Sequence, residues 1–269
     1  MTRFIIAPQW QGSVSSRAML LVDGATAIAG DLPRSACTHV EVPLEAGESL
    51  GTAVRRLSAL QHTRRLLDEE LGASDERALV VGGDCGVAVA AIARAAARHP
   101  DIVVVWCDAH GDLHTPESSP TGAFGGMALR AALGEGEPSL TGSGLTPERT
   151  VLVGARDLET AEDDYLAATG MRHLFAESLA DPDALVQAVG DAAAVYVHID
   201  LDVLDPTEMT GVNMAVPFGA HAAELVTAIG RLRAHAPLVG ASLTGFAPVT
   251  PDAAVDDLGT ILRLVGALA

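Results

Sequence analysis

Ile102-Val103-Val104-Val105-Trp106-Cys107-Asp108-Ala109-His110-Gly111-Asp112 is the stretch on which the fold turns. Six apolar residues follow one another without a polar break, then the chain becomes abruptly acidic. An exposed strand alternates apolar and polar residues; a strand covered by helices on both faces does not. Working outward, further short apolar runs occur at 4–7, 39–42, 78–81, 151–154, 173–175, 194–199 and 238–243. Longer amphipathic stretches lie between them, clearest at 52–71, 87–99, 220–234 and 258–269. This β-then-α alternation implies parallel pairing through right-handed crossovers, hence a three-layer α/β/α architecture with a mostly parallel sheet. The Gly/Pro-rich segment 134–147 reads as a surface loop, because the alternation resumes after it, so one domain is expected over 1–269. In such sheets ligands gather outside the carboxyl ends of the strands. The residues after each apolar run are therefore where chemistry is sought.

Composition narrows that chemistry. Of 269 residues, 49% are apolar, enough for a large core, and the formal net charge is −18. All 17 basic residues are arginine. Without lysine there is neither a Schiff base nor the lysine of a phosphate-binding P-loop. The acidic excess argues against nucleic acid or an anionic membrane as partner, and 3% aromatic content leaves few stacking surfaces. Three scattered cysteines (Cys37, Cys85, Cys107) suggest a reducing, cytoplasmic setting rather than a disulfide framework. The N-terminus shows no long apolar leader, and the apolar stretch 78–97 is broken by Asp84 and Arg94, so no bilayer span is expected.

Three strand ends are unusually polar. The run 78–81 leads into Gly82-Gly83-Asp84-Cys85-Gly86, the run 102–107 into Asp108-Ala109-His110-Gly111-Asp112, and the run 194–199 into Asp200-Leu201-Asp202-Val203-Leu204-Asp205-Pro206. Carboxylates gathered in a dry place repel one another and call for a cation. Several carboxylates with one imidazole suit a divalent ion such as Mn²⁺, and a pair of bridged ions rather than one.

The combination D-A-H-x-D, D-x-D-x-x-D-P and an upstream G-G-D resembles the ureohydrolases, the family of arginase, agmatinase and formiminoglutamase, from about Ala78 to Pro248. The resemblance implies an arginase-like sheet and a site of two Mn²⁺ ions whose bridging hydroxide attacks a guanidino carbon. It places Asp108 and Asp200 between the two ions. Asp112 completes one ion's set, and His110 and Asp202 the other's. Asp84 acts behind the ligands, and Asp205-Pro206 closes a turn. It also implies a small-molecule guanidino or amidino substrate and a homo-oligomer, trimeric or hexameric.

Departures from the family pattern are equally specific. Histidine usually follows Gly-Gly-Asp; here that ligand position holds Cys85, whose thiolate would favour Zn²⁺ or Fe²⁺. Alternatively Cys85 stays protonated and one ion is loosely held, or the thiol fills space. Its place at a helix N-terminus is expected to lower its pKa. The loop histidine of the S-G-N-x-H-G pattern is replaced by Gly125 in Thr121-Gly122-Ala123-Phe124-Gly125-Gly126. His114 is then the nearest proton relay, with Asp112 as the other catalytic group and Thr121 as a substrate contact. The guanidinium-binding glutamate of E-V-N-P is replaced by Gly245 in Ser242-Leu243-Thr244-Gly245-Phe246-Ala247-Pro248. A pocket without that carboxylate holds a guanidinium poorly. A hydroxyl of Ser242 or Thr244 suits a less basic amidine or N-hydroxyguanidine. Glu159, with Glu162, is a candidate for a substrate α-amino group, although Glu159 could equally cap the following helix.

Among the remaining groups, Cys37 and Cys107 read as core, and His198 as a satisfied residue behind Asp200 rather than a ligand. The expected activity is hydrolysis of a linear C–N bond in a guanidino or amidino compound, of arginase, agmatinase or hydroxyarginine hydrolase type. The alternative is a catalytically silent relative with a partial metal site.

Overall fold

The computed structural model describes residues 2–142 and 144–269. Met1, in the leader reading, and Ser143, in the expected loop, lie outside them. Eight strands form one wholly parallel sheet: β1 (Arg3–Ala7), β2 (Cys37–His39), β3 (Ala78–Gly82), β4 (Val103–Cys107), β5 (Thr150–Val153), β6 (Arg172–Leu174), β7 (Val195–Asp200) and β8 (Leu238–Thr244). Their order is β2-β1-β3-β8-β7-β4-β5-β6. Helices α1 (Leu20–Gly30), α2 (Leu57–Gly72), α3 (Val87–Arg98), α4 (Ala128–Ala132), α5 (Thr160–Thr169), α6 (Ala184–Val189), α7 (Ala222–His235) and α8 (Pro251–Leu268) connect them.

Strand periodicity divides the core in two. Val103, Val105 and Cys107 of β4 pack with Val197 and Ile199 against α1, α6, α7 and α8. Val104 and Trp106 face the other way with Tyr196, against α2, α3 and α4. Every residue of β4 is buried, and a buried valine contributes roughly 1.5–3 kcal/mol. That two-sided burial explains the unbroken apolar run. The strand order turns back on itself between β3 and β4, so the ends of β3, β8, β7 and β4 meet at the centre of one edge.

Several boundaries differ from expectation. The second strand is Cys37–His39, not 39–42, because Val40 and Val42 turn away after the Val40 amide donates to Ile6. Helix α2 starts at Leu57 rather than 52: Arg56 has φ +59° and cannot be helical, and its guanidinium instead reaches the Gln11 and Ser13 carbonyls. Helix α8 starts at Pro251, seven residues early. Thr250 accepts from the Ala253 amide at 3.1 Å, and Asp257, buried among the apolar positions, accepts from Thr210 and Gly211. Acidic residues there hide the periodicity. The helices at Leu20–Gly30, Ala128–Ala132 and Ala184–Val189 were not anticipated; α5 is the helix expected after Glu159, opens on a Glu159–Glu162 capping box and has almost no buried apolar stripe.

Candidate metal centre

At the end of β4, Asp108 Oδ1 accepts from the His110 amide at 2.8 Å and Oδ2 from Trp106 Nε1 at 3.3 Å. At the end of β7, Asp200 Oδ1 accepts from the Asp202 amide at 3.0 Å, which starts a short 3₁₀ turn. Asp202 Oδ1 accepts from the Ala109 amide at 3.0 Å and so ties the two strand ends together. His110 Nδ1 lies 3.1 Å from Asp202 Oδ2 and 3.3 Å from Asp108 Oδ1. From the loop after β3, Cys85 Sγ reaches Asp200 Oδ2 at 2.9 Å and Asp108 Oδ2 at 3.6 Å. Five of the six expected ligands, Cys85, Asp108, His110, Asp200 and Asp202, therefore converge, and Asp112 lines the same cleft.

Asp84, Asp108, Asp112, Asp200 and Asp202 are all buried. Burial first, then the charge of Asp202, pushes Asp200 up to about 7. Burial and Asp108 push Asp202 up to about 6. Asp112 is raised well above the carboxylate range by burial and Asp108. Burial alone would lower His110, but its hydrogen bonds to Asp108 and Asp202 outweigh it and raise it to about 12. Cys85 departs from expectation: burial, then Asp200, Asp112 and Asp108, raise its thiol well above normal, overriding the helix terminus. A self-repelling, water-excluded acid cluster of this kind is what a divalent ion relieves, and a coordinating thiol is deprotonated outright. Asp112 Oδ2, His110 Nε2 and His198 Nε2 are buried with no hydrogen-bond partner among the described residues. Two groups have ligand atoms mutually within 4.8 Å: Asp108, His110 and Asp202, and Cys85, Asp108 and His198. The donor set fits metal ions.

Asp112 carries φ +52°, a conformation rare outside glycine and asparagine-like residues. Its neighbours hold it there: its carbonyl accepts from the Arg130 amide, Leu113 donates to Glu162 Oε1, and His114 donates to the Gly126 carbonyl. Strain of this kind clusters at working sites.

The cleft above the acids has a volume of about 210 Å³ and includes His114, Thr121, Glu159, Glu162, Asn213 and Gly245 in its wall. His114 Nδ1 is 3.1 Å from Ser118 Oγ, and its Nε2 faces Glu159 Oε2 at 3.5 Å. Glu162 is already committed, accepting from the Leu113 and Glu159 amides, each at 3.0 Å. Thr121 Oγ1 accepts from the Ala123 amide. Thr244, expected at the substrate, is instead buried and donates to Asp200 Oδ2 at 3.1 Å, so it positions a ligand. Ser242 is likewise buried and bonds His198 Nδ1 at 2.8 Å. His198, expected to be satisfied, is so at one nitrogen only. Asp84 accepts from Gln9, Gly12 and Gly86, fastening the 9–12 loop beside Cys85. Asp205 closes its turn by accepting from Thr207, Phe218 and Gly219.

The positions of the two missing helpers differ in the room they leave: Gly125 is tight and Gly245 is closed. A Cβ on Gly125 would stand 3.1 Å from the Gly12 carbonyl oxygen. At Gly245, φ is +88° and a Cβ would sit 2.1 Å from Asp200 Oδ1. Asn213 was not anticipated. Its amide donates to the Gly245 carbonyl at 3.0 Å, and its buried Oδ1 has no partner among the described residues. No sequence pattern marks it, since it belongs to a loop more than thirty positions from Gly245.

The sequence model described as the Arginase family matches residues 20–257. The N(omega)-hydroxy-L-arginine amidinohydrolase of Streptomyces lavendulae is 32% identical over 260 residues, covering 95% of this chain and 93% of that protein. The arginase of Bacillus caldovelox is 31% identical over 203 residues, covering 70% and 66%. The crystal structure of the Bacillus subtilis arginase superposes with a TM-score of 0.84 at 24% identity, covering 100% of this chain and 98% of that one. With this sheet, this convergence of acids and these matches, the chain belongs to the arginase family.

Proposed function

We propose that the protein is an amidinohydrolase that cleaves the linear C–N bond of a weakly basic amidino group, an N-hydroxyguanidine in preference to a guanidinium. The observation that carries this reading is the wall at Gly245: a side chain there would collide with Asp200, and Asn213, which lines the same cleft, is uncharged with an unpartnered Oδ1 among the described residues. A cationic guanidinium loses its carboxylate partner there, whereas a less basic amidine needs only a hydrogen-bond acceptor. The Streptomyces lavendulae relative, named an N(omega)-hydroxy-L-arginine amidinohydrolase, supports it.

Asp108 and Asp200, with Cys85, Asp112, His110 and Asp202, would hold two divalent ions, Mn²⁺ by family resemblance or Zn²⁺ or Fe²⁺ given the thiol. Such ions supply Lewis acidity and a water ionised near neutral pH as the nucleophile. The chain's own residues do the rest. Asp112, with an unpartnered Oδ2, takes up the proton released on attack. His114, whose Nε2 faces Glu159 across the cleft, delivers a proton to the leaving amine. Glu159, which caps α5 but is more exposed than Glu162, anchors the substrate amino group.

The test is product release from N-hydroxyarginine, arginine, agmatine and guanidinobutyrate in the presence of added Mn²⁺ or Zn²⁺. Loss of one charged hydrogen bond corresponds to roughly 10–100-fold in kcat/KM, so N-hydroxyarginine should lead arginine by that margin. A preference for arginine overturns the substrate assignment. The tight position at Gly125 and the closed one at Gly245 favour one competing reading, a silent relative, and absence of turnover on all four compounds supports it.

A further inference from the structure

Resting on the metal-centre reading above, we propose that His198 is a metal ligand, which with Cys85 and Asp108 forms the second donor pocket of the centre and selects Zn²⁺ over Mn²⁺.

His198 lies in the interior of β7, two residues before Asp200, so both side chains leave the same face of the strand. Its ring is fully buried and held on two sides. Trp106 packs against it with ring centroids 3.8 Å apart, and Ser242 Oγ lies 2.8 Å from Nδ1. The tautomer that donates from Nδ1 to Ser242 leaves a lone pair on Nε2, which has no partner among the described residues. A ring nitrogen, Cys85 Sγ and an Asp108 carboxylate oxygen lie mutually within 4.8 Å.

A purely structural role accounts for this poorly. A buried imidazole nitrogen left unpaired is costly, and native structures seldom retain one. The adjacent thiol does not serve it, because Cys85 Sγ is already engaged with Asp200 Oδ2 at 2.9 Å. An imidazole with one nitrogen hydrogen-bonded and the other unpartnered is how histidine presents itself to a metal. The family pattern carries its imidazole on the loop after β3; here that loop offers sulfur, and the imidazole rises from the strand beneath. Sulfur and nitrogen together with one carboxylate suit Zn²⁺, whereas Mn²⁺ prefers oxygen.

The decisive measurement uses the metals alone, on the full chain. X-ray absorption of the Zn²⁺-loaded protein should report sulfur and two imidazoles across the centre, from His110 and His198. Anaerobic titration with Co²⁺ should give a sulfur-to-cobalt charge-transfer band that disappears in Cys85→Ser. His198→Gln should shift the ligand-field bands and weaken Co²⁺ binding by roughly 10–100-fold, with Ser242→Ala in the same direction but smaller. Equal thermal unfolding of the metal-free proteins shows that the variants fold, and the wild-type imidazole count stands even where they do not. From an equimolar mixture, wild type should retain Zn²⁺ over Mn²⁺. A single imidazole in the wild-type centre, or Co²⁺ spectra and affinity unchanged by His198→Gln, overturns the assignment while leaving the metal centre in place. Wild-type protein that binds neither Co²⁺ nor Zn²⁺ overturns the metal-centre reading and this one together.

Discussion

The two halves of the acid cluster are built differently although they share Asp108. Around His110 the geometry is closed: one imidazole sits between two carboxylates at 3.1 and 3.3 Å, and each carboxylate also accepts from a backbone amide. Around Cys85 it is open: a protonated thiol leans on Asp200, and the ring below it keeps an unpartnered nitrogen. The first half follows the D-A-H-x-D and D-x-D spacing, where each ligand also forms its own turn. The second is assembled from a loop, a strand interior and a neighbouring strand, so its side chains are placed by packing. One half of a family pattern can thus stay intact while the other carries different side chains.

Removing a carboxylate proposed to stand between the two ions has the largest effect. Asp200→Ala should abolish metal retention and reduce turnover by at least about 10³-fold, the equivalent of several kcal/mol of lost charge stabilisation. Elemental analysis and a turnover assay check it; full activity with Asp200→Ala contradicts its place between the ions. Cys85→His should erase much of the difference between the halves. Mn²⁺ binding should tighten on the order of 10–100-fold, read by equilibrium dialysis, and an unchanged Mn²⁺ affinity shows that Cys85 stands apart from the metal.

Gly245→Glu tests whether the rebuilt half can accept the family's residue back. The positive φ and the 2.1 Å approach to Asp200 predict destabilisation of about 1–3 kcal/mol without any gain in arginine turnover. A stable variant that hydrolyses arginine would show that the backbone there relaxes. The smallest effect concerns a carboxylate outside both halves. Asp205, held by Thr207 and two further amides, is lowered from 3.8 to about 2. A depressed folded-state value adds stability above pH 3.8 that is lost as pH falls towards 2. Asp205→Asn should therefore lower the thermal midpoint at neutral pH, with the gap to wild type narrowing on acidification.

How far the sequence reaches varies from residue to residue for physical reasons. Strand β4 is legible because burial on both faces leaves no polar position in it. The ligands at its end are legible because local turns require their spacing. Helix α5 was legible only through its cap, because capping carboxylates and amide bonds, not an apolar stripe, hold it in place. Thr244 was assigned to the substrate because its alignment beside Gly245 says nothing of which way its hydroxyl turns. His198 carried a usable signal, the two-residue period to Asp200, but a histidine inside an apolar strand looks the same whether its far nitrogen is bonded or free.

By itself the sequence determined the parallel α/β/α sheet, the acid cluster at three strand ends and the loss of the family's loop histidine and glutamate. Those are matters of residue type and short-range spacing. Only the tertiary structure decided that Gly245 has no room for a side chain, that Asn213 joins Gly245 in the cleft wall, and that His198 and Cys85 meet over Asp108. Each depends on how closely segments distant in the chain approach one another, which the packing of the whole sheet sets.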